Sequence, residues 1–132
     1  MSSRIKGIEK IESAMGEWVP SNLAVIEGVE LRSMQCGLTT NLLIEALFQS
    51  RRDSWPDFDK EMFRVEITFT NVRGLCLNGF GGGSVQVMGF DIRFIGDRGL
   101  EGINYEIEDY EDDRIRFKCS DVSIQSVTSK HT

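Results

Sequence analysis

The feature that most constrains the fold is an alternation of apolar and polar residues with a period of two. It is clearest at residues 63–70, which read FRVEITFT, so that every second residue is apolar. Side chains of a β-strand point alternately to its two faces. One face of this strand is therefore expected to be buried and the other to face water, as in an antiparallel sheet.

The same alternation recurs through the second half of the chain. Three further strands are predicted from the apolar sets Ile103, Tyr105 and Ile107, then Ile115, Phe117 and Cys119, then Val122 and Ile124. This parity also predicts that Tyr105 faces the core. Before them, Val85 and Val87 are out of phase with Phe90, Ile92 and Phe94. A β-bulge at Met88-Gly89 would explain this slip, because one extra residue shifts the pleat. A second slip falls at Ser120-Asp121.

The first half of the chain contains one predicted helix. Ile5, Ile8 and Ile11 have helical spacing over residues 3–16, with Ser2 or Ser3 as a possible cap and Gly16 at the end. Trp18 is expected to pack this helix against the sheet. Residues 41–50 are apolar on both sides, so periodicity leaves strand and helix open. We favour a strand because the segments that follow are strand-like.

These patterns predict a mainly β fold with an antiparallel sheet. We expect a sandwich or half-barrel of six to eight strands, preceded by one N-terminal helix. The length of 132 residues fits one domain. Its predicted parts are the helix at 3–16, a β core at 22–127 and a frayed tail at 128–132.

The sequence GFGGGS at residues 79–84 superficially resembles a phosphate-binding loop. Such loops lie between a strand and a helix, whose N-terminus meets the anion. Here a period-two segment follows, and GK[ST] is missing. We therefore interpret it as a flexible hairpin loop.

Charge and composition argue against several function classes. The net charge is −6, which disfavours nucleic-acid binding because that needs a basic surface. The one histidine, His131, lies at the C-terminus, so a catalytic triad has no scaffold. The three cysteines have no metal-site spacing and are predicted to be reduced thiols. We expect no enzyme activity, no cofactor and no metal.

The first residues, MSSRIKGIEKIE, are charged and lack an apolar core of 7–15 residues, so we expect no signal peptide, and the sequence has no run of 18 apolar residues. We therefore expect no membrane association and a cytoplasmic location.

The strongest local signal is an acidic segment between Glu101 and Asp121, which holds eight carboxylates and three basic residues. It does not follow the calcium-loop pattern, and nothing singles out a glycosidase pair. A solvated charged edge and a partner-binding surface both remain open. As a partner surface it would steer a basic protein by its field. The predicted steering residues are Glu106, Glu108, Asp109, Glu111, Asp112 and Asp113.

Two aromatic residues are candidate anchors for such a partner. Tyr110 lies among the carboxylates and is predicted to be exposed, and tyrosine is enriched in interface hot spots. Trp55, in the loop SWPDFD, either anchors that loop on the core or marks a binding surface.

Several stretches together resemble a known class of proteins. After Trp18 and Pro20 come FRVEITFTNVRGLCL, VMGFDIRF, INYEIED and IRFKCSDVSI. Over residues 18–127 this order resembles small, mostly-β bacterial immunity proteins of polymorphic-toxin and contact-dependent growth-inhibition systems. The resemblance implies a cytoplasmic, non-enzymatic protein that binds and neutralises a cognate toxin domain, often a nuclease. It assigns no role to any residue.

The sequence thus predicts an inhibitory protein with an acidic surface for a basic toxin. Blocking the active site and binding an exosite are both open, as is the oligomeric state. The alternatives are a small-ligand or carbohydrate-binding β module, and a structural or adaptor subunit.

Overall fold

The structure is a computed structural model. It describes residues 5–16, 18–34, 37–49, 62–87, 89–96 and 102–129. Trp55, Cys36, Met88 and His131 lie outside the described residues, as do both serines considered as helix caps.

The described chain contains one α-helix, one 3₁₀ turn and nine strands. The helix α1 spans Ile8–Met15 and the 3₁₀ turn spans Pro20–Asn22. The strands are β1 (Leu23–Met34), β2 (Thr39–Gln49), β3 (Met62–Thr70), β4 (Arg73–Leu77), β5 (Val85–Gln86), β6 (Phe90–Phe94), β7 (Tyr105–Asp109), β8 (Ile115–Cys119) and β9 (Asp121–Ser129).

These strands form two antiparallel sheets. The first sheet has five strands in the order β5-β1-β2-β3-β9, and the second has four in the order β4-β8-β7-β6. The predicted mainly β, antiparallel fold with one N-terminal helix is confirmed, and the sheets do not close into a barrel. The described strands number nine rather than six to eight. One of them, β5, has only two residues.

The two sheets share one corner, where two neighbouring chain segments pass from one sheet to the other. β3 pairs with β9 in the first sheet, and their continuations β4 and β8 pair in the second. Asn71 takes a left-handed φ of 57° at the crossing, and its side-chain amide donates to the Ser120 hydroxyl over 2.9 Å. The slip at Ser120-Asp121 therefore marks this change of sheet.

The predicted bulge at Met88-Gly89 is wrong. β5 pairs with β1 in the first sheet, whereas β6 pairs with β7 in the second, so the phase changes because the chain moves between sheets. The glycine-rich loop is likewise not a hairpin loop, since it connects β4 of the second sheet to β5 of the first. Its glycines at 79, 81, 82 and 83 all have φ between 74° and 117°, a region that favours glycine.

The helix begins later than predicted. Gly7 has φ of 77° and precedes the first helical residue, so neither Ser2 nor Ser3 caps α1. A Cβ on Gly7 would overlap the Ile124 carbonyl oxygen, so this position requires glycine. The residues before the helix instead extend the first sheet, where Lys6 forms a parallel bridge with Ser123 of β9. Ile5, Ile8 and Ile11 are buried as their spacing predicted.

Residues 41–49 belong to β2, so the favoured interpretation as a strand is confirmed. Apolar and polar residues alternate imperfectly along β1, because its pairing with β2 shifts register between Leu23 and Val25 and between Ile26 and Gly28. β9 continues to Ser129 and pairs there with Phe63, so residues 128 and 129 are not part of a frayed tail.

The core lies between the sheets. Phe69 of the first sheet and Phe117 of the second meet edge to face, with ring centroids 4.9 Å apart. Trp18 packs on Phe48 of β2, with ring centroids 6.0 Å apart. A second, smaller apolar cluster consists of Ala24, Val25, Leu47 and Met62. In the part of the chain that is described, no helix has the length and apolar character needed to cross a membrane.

Candidate functional site

The acidic segment folds into the hairpin formed by β7 and β8. Because β7 alternates, Tyr105, Ile107 and Asp109 point to the core, whereas Glu106 and Glu108 lie on the outer face. The predicted core position of Tyr105 is confirmed, since it is 4 % exposed. One run of carboxylates is thus divided between two faces of a sheet.

Glu106 and Glu108 belong to a ladder of ion pairs across the outer face of the second sheet. Arg93 of β6 contacts Glu106 at 2.5 Å and Glu108 at 2.9 Å, and Lys118 of β8 lies 3.6 Å from Glu106. Opposite charges on neighbouring strands stabilise a sheet. These two carboxylates are therefore largely neutralised by their neighbours and contribute little to a long-range negative field.

Asp109 has a structural position. Its side chain is 2 % exposed, and it accepts backbone hydrogen bonds from the turn that follows. Oδ1 accepts the N–H groups of Glu111 at 3.1 Å and Asp112 at 3.3 Å, and Oδ2 accepts the N–H of Arg114 at 3.1 Å. A buried carboxylate with three donors fixes the turn. The predicted surface role of Asp109 therefore does not fit its placement, because the carboxylate is turned inward.

The remaining residues of the segment form the exposed end of the hairpin, which we call the acidic tip: Tyr110, Glu111, Asp112 and Asp113. Tyr110 is 57 % exposed, as predicted. Asp113 lies 3.5 Å from Arg116, whereas in the described ranges Glu111 and Asp112 have no ion pair. Between Glu106 and Asp113, the acidic tip is therefore the part whose charged side chains are exposed to solvent.

The acidic tip is held from both sides. The Tyr110 N–H donates to the Gly89 carbonyl over 2.9 Å, and the Asn78 side-chain amide donates to the Asp113 carbonyl over 2.8 Å. A Cβ on Gly89 would lie 3.0 Å from the Tyr110 ring and 2.6 Å from Glu111 Cγ. Glycine at this position thus permits the ring and the carboxylate side chain to lie where they do.

Sequence reasoning missed the basic side of the ladder. Arg93, Arg116 and Lys118 lie on the outer face of strands adjacent to β7, opposite Glu106 or Glu108 in the register. The available signal was the alternation of Arg114, Arg116 and Lys118 with apolar residues in the segment after the acidic turn. Likewise, extending the Tyr105–Ile107 parity by one step places Asp109 on the buried face.

The two described cysteines are free thiols with different surroundings. Burial raises the pKa of the Cys119 thiol to about 12, so it stays protonated at neutral pH. Cys76 is half-buried, and its sulfur lies 3.8 Å from Arg116 Nη2. This contact, with the nearby Asp113, raises the pKa of the Arg116 guanidinium.

Three concave regions lie away from the acidic tip. A groove of about 270 Å³ on the first sheet is lined by Gly28, Glu30, Leu43, Glu45, Glu66 and Thr68, among others. A cavity of about 210 Å³ is lined by Trp18, Pro20, Phe94 and Tyr105, among others. A neighbouring one, of about 290 Å³, includes Asn104 and Asp121. Among the residues that the structure describes, no group of three His, Cys, Asp or Glu side chains could hold a metal ion.

Comparison with protein-family models, with curated proteins and with solved structures finds no match to this chain.

Proposed function

We propose that the protein is an inhibitory binding protein of the immunity type, which neutralises a basic toxin domain through the acidic tip. The observation that carries the proposal is the placement of Tyr110, Glu111 and Asp112. They project from a turn that Asp109 and Asn78 hold in one conformation. A rigid aromatic side chain beside unpaired carboxylates has the chemistry of an interface anchor surrounded by steering charge.

The charge distribution narrows the predicted contact surface. Glu106 and Glu108 already share Arg93, so a cationic partner would have to compete with an existing ion pair to bind them. In the described part of the chain Glu111 and Asp112 have no ion pair that a cationic partner would have to displace. We therefore assign the steering role to the acidic tip, and the ladder of ion pairs stabilises the pairing of β6, β7 and β8.

Rigidity of the tip also favours binding. An interface loop that must be ordered on association lowers the affinity, because its conformational entropy is lost in the complex. Here the turn is already fixed by three hydrogen bonds to Asp109. A partner would meet a preformed surface, and association would be limited mainly by electrostatic encounter.

The test is protection against a candidate toxin, the product of the adjacent reading frame. Co-expression should rescue growth, and the purified proteins should form a complex whose association rate falls with salt. The variant Glu111→Lys/Asp112→Lys should lower that rate by about tenfold to a hundredfold at low ionic strength. Stopped-flow association measurements and growth assays check both.

A matched control variant separates the position of the charges from the net charge of the protein. Glu9→Lys/Glu12→Lys makes the same change in charge on the exposed face of α1 and should leave association and rescue unchanged. Equal losses in both variants would show that only total charge matters and would reject the acidic tip. No complex and no rescue with the wild-type chain would reject the immunity proposal as a whole.

A second candidate function, a small-ligand-binding β module, is favoured by the cavity beside Trp18. Its aromatic lining suits stacking against a sugar ring, and its volume of about 210 Å³, below the roughly 300–1,000 Å³ of most ligand pockets, limits it to a single small ring. Titration with simple hexoses, followed by tryptophan fluorescence, discriminates this function from the first. A fluorescence change that is due to binding beside Trp18 should disappear in Trp18→Phe. Saturable quenching by a hexose would favour the ligand-binding module.

A further inference from the structure

Among the residues that the structure describes, the β1 edge of the first sheet is unpaired over most of its length. β1 runs for 12 residues, but β5 pairs only with Val25 and Ile26. Beyond Ile26, β1 pairs only with β2 in the described part of the chain. We call residues 28–34 the open edge. Its side chains are largely in solvent, with Leu31 54 % and Met34 41 % exposed.

An edge of this kind is a template for another strand, because its outward N–H and C=O groups lack partners. Natural sheets usually protect such edges with prolines, inward-pointing charges or covering segments. The open edge contains no proline, and its two charged residues have opposite signs, Glu30 and Arg32. Within one chain these two side chains already form an ion pair with each other. The exposed leucine lies between them.

We propose that two copies of this chain pair through the open edge as antiparallel strands, with a two-fold axis at Leu31. In an antiparallel pair, the residue number rises along one strand as it falls along the other, so the numbers of two opposite residues always add to the same sum. When a two-fold axis relates the strands, one residue lies opposite its own copy, so this sum is twice that residue's number. When the axis passes beside Leu31, the sum is 62. Glu30 then faces Arg32 of the second copy, and Arg32 faces Glu30.

The charges select this register over its neighbours. A symmetric pair centred on residue 30 would place Glu30 opposite Glu30, and one centred on residue 32 would place Arg32 opposite Arg32. Like charges directly opposite one another destabilise a sheet, and opposite charges stabilise it. The axis at Leu31 places the two existing Glu30–Arg32 ion pairs side by side with alternating signs, so that each charge has an opposite charge both in its own chain and in the second copy. It also places the two Leu31 side chains opposite each other.

The shapes of the flanking residues fit the same register. Gly28 falls opposite Met34 of the second copy, so the absent side chain leaves room for a long flexible one. Gly28 also borders the groove of about 270 Å³, with Leu43 in its lining. Met34 is therefore positioned to reach an apolar part of that groove. Val29 falls opposite Ser33, which gives no clash and no buried charge.

The resulting assembly is a continuous ten-stranded sheet formed from the two five-stranded ones. Seven residues per copy give an interface smaller than the standard of about 800 Å² per partner. We therefore expect a reversible dimer whose population rises with protein concentration. The acidic tip lies on the second sheet, so this pairing does not depend on the proposed function.

The first test is the molar mass of the purified chain by sedimentation velocity across a concentration series. The wild type should shift from monomer to dimer. Glu30→Arg alone and Arg32→Glu alone should each weaken association by about tenfold, because two attractive pairs become repulsive. The double variant Glu30→Arg/Arg32→Glu should restore it, since each charge again meets its opposite. Leu38→Lys is the control, because Leu38 is 82 % exposed but lies outside the open edge.

The second test fixes the register by disulfide trapping in a Cys36→Ser background. Leu31→Cys should cross-link on oxidation, because directly opposite Cα atoms lie about 4.5–5.5 Å apart, within disulfide range. Glu30→Cys should not cross-link. In this register the two copies of residue 30 are diagonal neighbours, and their Cα atoms lie about 7–8 Å apart.

Three results would overturn the proposal. One is a wild-type chain that stays monomeric at millimolar concentration. Another is efficient trapping through Glu30→Cys instead of Leu31→Cys. The third is dissociation by Leu38→Lys as strong as that by the single charge reversals, since this would indicate unspecific apolar adhesion.

Discussion

The hairpins β1–β2 and β7–β8 have similar local patterns and different surroundings. Each places acidic and basic residues on an outer face. β7 and β8 are flanked by β6 and β4, so both of their backbone edges are paired. β1 has a neighbour over only two residues on its outer side. A hairpin that is paired on both sides can contact a partner only through its tip and outer face, whereas an open one can also bind through its backbone.

The two edges of the first sheet differ in the same way, because one has a backbone partner and the other lacks one over most of its described length. At β9, the residues before α1 cover the edge, because the Lys6 N–H donates to the Val122 carbonyl and the Ile124 N–H donates to the Lys6 carbonyl. At β1, nothing equivalent is described beyond Ile26. In the described ranges, one edge of the sheet is thus covered by the chain itself around Ser123, whereas the other has no neighbouring strand beyond Ile26.

The largest expected difference between the two hairpins is in how much one apolar side chain of each contributes to the free energy of unfolding. Phe117 of β8 is 1 % exposed and contacts Phe69 across the sheets, whereas Leu31 of β1 is 54 % exposed. Phe117→Ala should lower the free energy of unfolding by about 3–5 kcal/mol because it leaves a cavity between the sheets. Leu31→Ala should change it by about 0.5 kcal/mol.

Urea unfolding at micromolar concentration, where we expect the proposed dimer to dissociate, measures both variants. A cost for Leu31→Ala comparable to that for Phe117→Ala would mean that the β1–β2 hairpin is packed in the monomer and that the comparison fails.

The next effect concerns the turn of the closed hairpin. Asp109→Ala should lower the free energy of unfolding by about 2–4 kcal/mol, because three backbone donors lose a buried acceptor. Asp109→Asn should cost less, since its remaining oxygen can still accept from Glu111 and Asp112. Thermal unfolding followed by circular dichroism ranks the variants.

The Asp109 variants also separate rigidity from charge. If the fixed turn matters for partner binding, Asp109→Asn should weaken the complex although the exposed charges of the acidic tip are unchanged. Full stability in Asp109→Ala would contradict the role assigned to this carboxylate.

The smallest effect is a pH dependence at the end of β8. Burial raises the pKa of Cys119 to about 12 from 9.0, so the unfolded chain loses this proton at lower pH than the folded one. Above pH 9 the unfolded state therefore binds fewer protons, and stability falls as pH rises. From pH 8 to pH 10 the wild type should lose about 1 kcal/mol relative to Cys119→Val.

Urea unfolding of the two proteins at both pH values gives this difference, and Cys76→Ser in the opposite strand is the matched control. A difference between wild type and Cys119→Val that does not change with pH would rule out the buried thiol as the cause.

Much of the fold could be predicted because burial in a strand follows parity. The alternation at 63–69 and at 115–119 identified side chains that are in fact buried, and the same parity placed Tyr105 inside and left Tyr110 outside. Parity does not say which sheet a strand joins. The slips at Met88-Gly89 and Ser120-Asp121 were therefore visible in the sequence, while their cause, a change of sheet, was not.

The candidate site was predictable in part for the same reason. The cluster of carboxylates and the exposure of Tyr110 are properties of the sequence. Whether each carboxylate meets a cation, a backbone donor or water depends on residues distant in the chain. Arg93 reaches Glu106 from β6, and Asn78 holds the acidic tip from beyond β4. Such partners are chosen by strand order, which the local pattern does not encode.

The sequence by itself determined which residues avoid water, because alternation and apolar spacing are local and the pleat repeats every two residues. Only the tertiary structure decided which carboxylates keep their charge in solvent and which strand edge stays open. Both depend on the neighbours that each strand acquires when the two sheets assemble, and those neighbours come from distant parts of the chain.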